Sequence, residues 1–134
     1  MIILTLRTDK PEAEIGLYDD HTQIVYETRT AHRQLAEGLH LKIKDVLSSH
    51  HIKLELVQAL VVFMGPGSFT GLRIGLSVSN ALAYGLAIPI VGEIEEREDD
   101  WRVSGINRVL AGADDRVVVP EYGSPVHITP AKST

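Results

Sequence analysis

Residues 2–6, Ile-Ile-Leu-Thr-Leu, are apolar or β-branched without a break, the pattern of a buried strand. Glu14 to Tyr18 and Thr22 to Tyr26 flank the polar Asp19-Asp20-His21, which predicts a hairpin. In its second arm Ile24 and Tyr26 fall on one face and Val25 on the other. Thr30 is placed to cap the next element. From there Leu35, Leu39, Ile43, Val46, Leu47 and His50 recur at helical spacing, opposite Arg33, Glu37, His40, Lys44 and Ser48. The spacing predicts an amphipathic helix from about Ala31 to Ser49. Ala59 to Phe63 reads as a strand, Ser68 to Leu86 as a second helix, and Ile88 to Gly92 as a fifth strand. The predicted order β-β-β-α-β-α-β joins three strands by hairpins and two more by helical crossovers, giving a mixed five-stranded sheet of the α/β class.

Beyond residue 92 the pattern weakens. Trp101, Val103, Ile106, Val109 and Leu110 suit a short helix ended near Gly112, and Arg116 to Val119 suits one more strand. Pro120, Pro125 and Pro130 then predict an extended tail. Charge marks the same boundary. The net charge is −5, and residues 93–100 hold six acidic side chains against one basic, so this octet carries the whole imbalance. Such a block repels itself and stays solvated unless a basic partner surface meets it. We therefore expect a half-domain over residues 1–92, followed over 93–134 by an acidic linker, a short helix or strand and a proline-punctuated tail.

At 134 residues and 44% hydrophobic, the chain has the size and composition of one globular domain. The absence of cysteine excludes a disulfide scaffold, a thiolate metal site and a cysteine nucleophile. No basic stripe suggests direct nucleic-acid binding. No run of about 18 apolar residues suggests a membrane span and no leader precedes Arg7, so a cytoplasmic location is expected.

Candidate chemistry concentrates in Gly65-Pro66-Gly67-Ser68-Phe69-Thr70-Gly71, between a strand and a helix. Gly65, Gly67, Ser68 and Thr70 could meet a phosphate, because free backbone N–H groups and the positive end of a helix dipole gather there. The loop has neither the P-loop lysine nor the dinucleotide-loop spacing, and Ser68 lies outside a nucleophile-elbow pattern. A tight turn with Ser68 as helix cap is the plain alternative. In the following helix Gly71, Gly75, Ser79 and Ala83 form an i, i+4 row of small residues. Thr70, Arg73, Ser77, Asn80 and Tyr84 form a narrow polar stripe. A helix glycine costs about 1 kcal/mol relative to alanine, so two of them imply close backbone approach, either to a partner or to the chain's own sheet.

The loop with Leu72-Arg73-Ile74-Gly75, then Ala81, Ala83-Tyr84-Gly85-Leu86 and Ile88-Pro89-Ile90-Val91-Gly92, resembles the TsaB (YeaZ) family. His32-Arg33-Gln34-Leu35 is similar to its entry into the first helix, and Val119-Pro120-Glu121-Tyr122 echoes it near the end. The resemblance implies a ribonuclease-H-like half-domain of the actin-like ATPase fold, in keeping with the predicted element order. It implies a non-catalytic scaffold that pairs with the catalytic subunit TsaD, with the ATPase subunit TsaE joining, for threonylcarbamoylation of adenosine 37 in tRNA. The partner surface would then include Leu35, Leu39, Gly71, Arg73, Gly75, Ser79 and Ala83, and tRNA would be met only indirectly.

Two departures sharpen that expectation. The family's first strand ends in Asp-Thr-Ser, whereas this chain has Arg7-Thr8-Asp9, and arginine cannot coordinate Mg²⁺. Only about 40 residues follow Gly92, too few for a second half-domain of usual size. No cofactor is expected on this chain alone, with ATP or ADP only in a complex. The six histidines lack metal-site spacing, so no metal is expected. The competing readings are a stand-alone phosphate- or nucleotide-binding ATPase-like protein and a homodimer through the same helices.

Overall fold

The computed structural model describes residues 1–30, 35–95 and 100–121. Its strands and α-helices are β1 (Ile2–Arg7), β2 (Glu12–Asp19), β3 (Thr22–Thr30), α1 (Leu35–Ser49), β4 (Ala59–Gly65), α2 (Phe69–Leu86), β5 (Ile90–Ile94) and α3 (Trp101–Leu110). The five strands form one sheet in the order β3-β2-β1-β4-β5. β1, β2 and β3 pair antiparallel through hairpin connections, and β1–β4 and β4–β5 pair parallel. This is the α/β arrangement that the element order predicts.

Side chains alternate across the sheet and so sort into two cores. Leu4, Leu6, Leu60 and Val62 join Leu39, Ile43, Val46 and Leu47 of α1 and Leu76 and Ala83 of α2. Ile3, Ala59, Val61 and Phe63 join Trp101, Ile106 and Val109 of α3. With helices on both faces, the central strands are buried on both, which explains why β1 and β4 read as continuous apolar runs rather than alternating ones. Among the described residues, no helix is long and apolar enough to cross a membrane.

Four expectations change. The hairpin is longer than its apolar alternation suggests. Thr30, expected to cap a helix, ends β3 opposite Glu12. The charged positions Glu27 and Arg29 hid the extension; there Arg29 pairs with Glu27 and with Asp45 of α1. The helix start at Ala31 and the His32-Arg33-Gln34 stretch lie outside the described residues. β5 begins two residues later than expected, at Ile90, because Pro89 has no N–H to donate and contributes only its carbonyl, which accepts from Leu60 N at 3.0 Å.

The third change concerns the acidic octet. The boundary expected at residue 93 falls inside β5, and Glu93 is buried. Its carboxylate accepts from Ser104 Oγ and Arg108 Nη1, both at 2.8 Å. Helix α3 therefore closes the second face of the same sheet, over β5 and β4. Glu96 to Asp99 lie outside the described residues.

Finally, residues 116–119 do not join the sheet. The chain reaches the edge of β5 at Asp114 and Asp115, whose carboxylates accept from Ile90 N at 3.2 Å and Gly92 N at 2.9 Å. From there a strap, residues 116–120, bends at Arg116 (φ +69°), where Val117 N donates to Asp115 O at 2.8 Å, and crosses toward Glu121, whose N–H donates to Met64 O at 2.7 Å. The strap's ladder partner is a side chain. Asn80 Nδ2 donates to Val118 O at 2.9 Å, and Val118 N donates to Asn80 Oδ1 at 3.0 Å. Pro125 and Pro130 lie outside the described residues.

Candidate functional site

Strands β1, β4 and β5 run parallel and end near one another at Arg7, Gly65 and Ile94, with the glycine loop and the start of α2 beside them. In open α/β sheets this is where ligands settle. Here the chain fills the place with its own charges. Arg7 Nε donates to Asp9 Oδ1 at 2.8 Å, and its Nη2 meets Asp9 Oδ2 at 3.2 Å and Glu95 Oε1 at 3.1 Å. The guanidinium lies 3.8 Å above the centre of the Phe63 ring, which meets Trp101 edge-on at 5.8 Å. The Arg7 side chain is 10% exposed and that of Asp9 7%. Burial works against the Arg7 charge, but its hydrogen bonds to Asp9 and then to Glu95 outweigh it and hold the guanidinium above its ordinary value.

Across the loop, Gly67 packs on Asp9 so closely that a Cβ at Gly67 would stand 2.7 Å from its Oδ2. Gly65 has φ +128°, a conformation glycine adopts freely, and its bond to Pro66 is cis. Ser68 occupies the N-cap position of α2, and its carbonyl accepts from Leu72 N at 2.9 Å, but its side chain makes no capping hydrogen bond. Ser68 and Thr70 are exposed at this helix start.

The row expected at a partner surface turns inward. Thr8 Oγ1 donates to Gly71 O at 2.8 Å, and a Cβ on Gly71 would collide with the Thr8 carbonyl. A Cβ on Gly75 would stand 2.8 Å from both Thr8 Cβ and Cγ2. Ser79 is fully buried, its Oγ donating to Gly75 O at 2.7 Å, and Ala83 is buried as well. Gly71, Gly75, Ser79 and Ala83 thus let α2 lie close on the β1–β2 turn and the core. Leu39 also lies in the core, and the side chain of Leu35 is outside the described residues. Among those of these residues that are described, Arg73 is the exposed one, as the polar stripe predicts.

What α2 shows outward is a second small-residue row, Ser77, Ala81 and Gly85, again at i, i+4 spacing, flanked by Arg73 and by Tyr84, which is 90% exposed. A Cβ on Gly85 would meet nothing within 4 Å among the described residues. Helix α1, packed beside α2, adds Leu41, 59% exposed, and Gly38, where among the described residues a built Cβ would have only Lys42 Nζ near, at 3.4 Å. Sequence reasoning passed over Ala81 and Gly85 because two small rows run along the same helix. The available signal was that the inner row continues the loop glycines Gly67 and Gly71, and so follows the chain's own turn.

Three comparisons bear on this surface. Residues 24–93 match the family model described as TsaD: tRNA N6-adenosine threonylcarbamoyltransferase. The tRNA threonylcarbamoyladenosine biosynthesis protein TsaB of Escherichia coli is 32% identical over 125 residues, 87% of this chain and 52% of that protein. A tRNA N6-adenosine threonylcarbamoyltransferase of Geotalea daltonii is 32% identical over 60% of this chain and 23% of its own length. The solved structure of YeaZ from Pseudomonas aeruginosa superposes with a TM-score of 0.59 at 28% identity, covering 69% of this chain and 44% of that one. The chain thus spans about half the length of the TsaB and YeaZ proteins it matches.

Proposed function

The chain belongs to the family of TsaD and TsaB proteins, and on that premise we propose that it is a non-catalytic partner subunit in tRNA threonylcarbamoyladenosine biosynthesis. In this reading its α1–α2 layer docks on a TsaD-like catalytic subunit, which carries the transfer to adenosine 37 of tRNA. A TsaE-like ATPase joins the pair, tRNA is met only through the complex, and ATP or ADP is held only there.

The observation that carries the reading is the outer face of α2. Gly85 lies in the last turn of α2, and among the described residues no neighbour within 4 Å of a built Cβ requires a glycine there. Ser77 and Ala81 continue that flat track, and Tyr84 stands beside it as a large amphipathic anchor of the kind enriched at interfaces. Close helix packing against a second chain uses all four. The state of the crevice agrees: Arg7 is neutralised by the chain's own Asp9 and Glu95, and Asp9 lies against the loop where a phosphate would approach.

Co-expression with a tagged TsaD-like subunit should give a complex that survives size-exclusion chromatography, and Ala81→Arg should abolish it while the variant melts like the parent chain. The stand-alone ATPase-like reading makes the opposite forecast. Micromolar binding of ATP with Mg²⁺ by the isolated chain in calorimetry, with no complex formed, would overturn the subunit assignment.

A further inference from the structure

Resting on that docking reading, we propose that the strap of residues 116–120 forms a second wall of the partner site. The trough between strap and α2 would receive the apolar ridge of an amphipathic helix from the TsaD-like chain. Two adjoining concavities make up the trough. One, of about 430 Å³, lies between Ala83 and Tyr84 of α2, Ile88, Pro89 and Val117. The other, of about 230 Å³, lies between Leu76 and Ser77 of α2 and Val117 to Pro120 of the strap. Asn80 borders both.

The strap's construction argues for a held surface. Asn80 grips both backbone groups of Val118, and the Val118 side chain is buried against Gly92, where a built Cβ would stand 2.5 Å from Val118 Cγ1. In an extended chain successive side chains alternate in direction. Seating Val118 therefore turns Val117 and Val119 outward, and they are 64% and 63% exposed. Two exposed valines on a strap anchored at Asp115, Val118 and Glu121 meet a partner with little ordering left to do.

Continuity identifies the occupant. The trough begins at Ser77, the first residue of the outer row of α2, and at Tyr84, which flanks that row. A helix lying along that row would bring one edge over Val117 and Val119, the helix-in-groove mode in which apolar anchors repeat at helical spacing.

The test measures affinity of the full chain for the purified TsaD-like subunit by calorimetry, comparing Val117→Asp, Val119→Asp and Ala81→Arg. At such exposed positions the two aspartates should leave the melting temperature unchanged. Each should weaken binding at least tenfold, and the pair together more. If either lowers the melting temperature, the threonine variants Val117→Thr and Val119→Thr, which keep shape and branching, should still weaken binding measurably. Wild-type affinity for the valine variants, with Ala81→Arg unable to bind, would overturn the second wall and leave the docking reading standing. Wild-type affinity for Ala81→Arg, or no binding by the parent chain, would overturn both. Self-association lost on the valine substitutions with partner binding intact would assign the trough to a second copy, and so would also refute the proposal.

Discussion

Gly75→Ala puts the packing of α2 to a quantitative trial. The substitution favours the helix by about 1 kcal/mol through propensity. The added methyl, however, lands 2.8 Å from Thr8 Cβ and Cγ2 and collides with Thr8 Oγ1. Thr8 cannot swing away freely, because its hydroxyl is bonded to Gly71 O at 2.8 Å. Overpacking of this kind costs about 1–3 kcal/mol, and loss of the Thr8 hydrogen bond about 0.5–1.5 kcal/mol more. The net expectation is a destabilisation of roughly 0.5–3.5 kcal/mol. For a chain of 134 residues that lowers the melting temperature by about 2–12 °C.

Thermal and urea melts of the isolated chain measure this, and Gly85→Ala supplies the internal contrast. With open space around it, the second substitution should stabilise by up to about 1 kcal/mol. The same replacement in one helix thus takes opposite signs at two positions. Adding Thr8→Ala to Gly75→Ala should recover part of the loss, and the coupling in that cycle reports the contact itself. A Gly75→Ala chain as stable as its parent would refute the inward packing. It would return this row to the partner surface that its spacing first suggested.

Three further outcomes follow from the same geometry. Asn80→Ala should cost about 1–3 kcal/mol by leaving two strap backbone groups without their Asn80 partner, and should speed hydrogen exchange at the Val118 amide, which donates to Asn80 Oδ1. Arg7→Ala should destabilise by about 2 kcal/mol or more because it leaves the Asp9 carboxylate mostly buried without its cation, whereas Arg7→Met with Asp9→Leu should recover most of the loss. The Arg102 hydrogen bond holds Asp100 below its ordinary range, and Asp115 is also held low, where Arg108 and the Gly92 N–H outweigh an opposing effect of burial. For a depressed carboxylate the contribution is present above the ordinary value of 3.8 and is lost as pH falls below it, so Asp100→Asn should flatten the fall in urea-melt stability below about pH 4.

Periodicity alone located the central strands and both long helices. β1 and β4 are apolar on both faces, and α2 was legible to within a residue at its start, because buried runs and helical spacing are local properties of the chain. The crossover order then allowed few topologies, and the observed sheet is one of them. Direction was not local. Helix α2 carries small residues at i, i+4 spacing on two sides, and propensity is the same whichever row faces in. The choice fell to Thr8 and Asp9, which arrive from the β1–β2 turn more than 60 residues earlier in the chain. Glu93 read as part of a solvated acidic block because its hydrogen-bond donors, Ser104 and the cationic Arg108, enter only when α3 folds back over β5. Arg116 to Val119 carried a strand pattern, yet Asp114 and Asp115 had already taken the free N–H groups along β5, and the Asn80 amide offered Val118 both halves of a ladder bond. A pattern of side chains determines what a segment can become; where its backbone groups find partners depends on which distant groups reach them first.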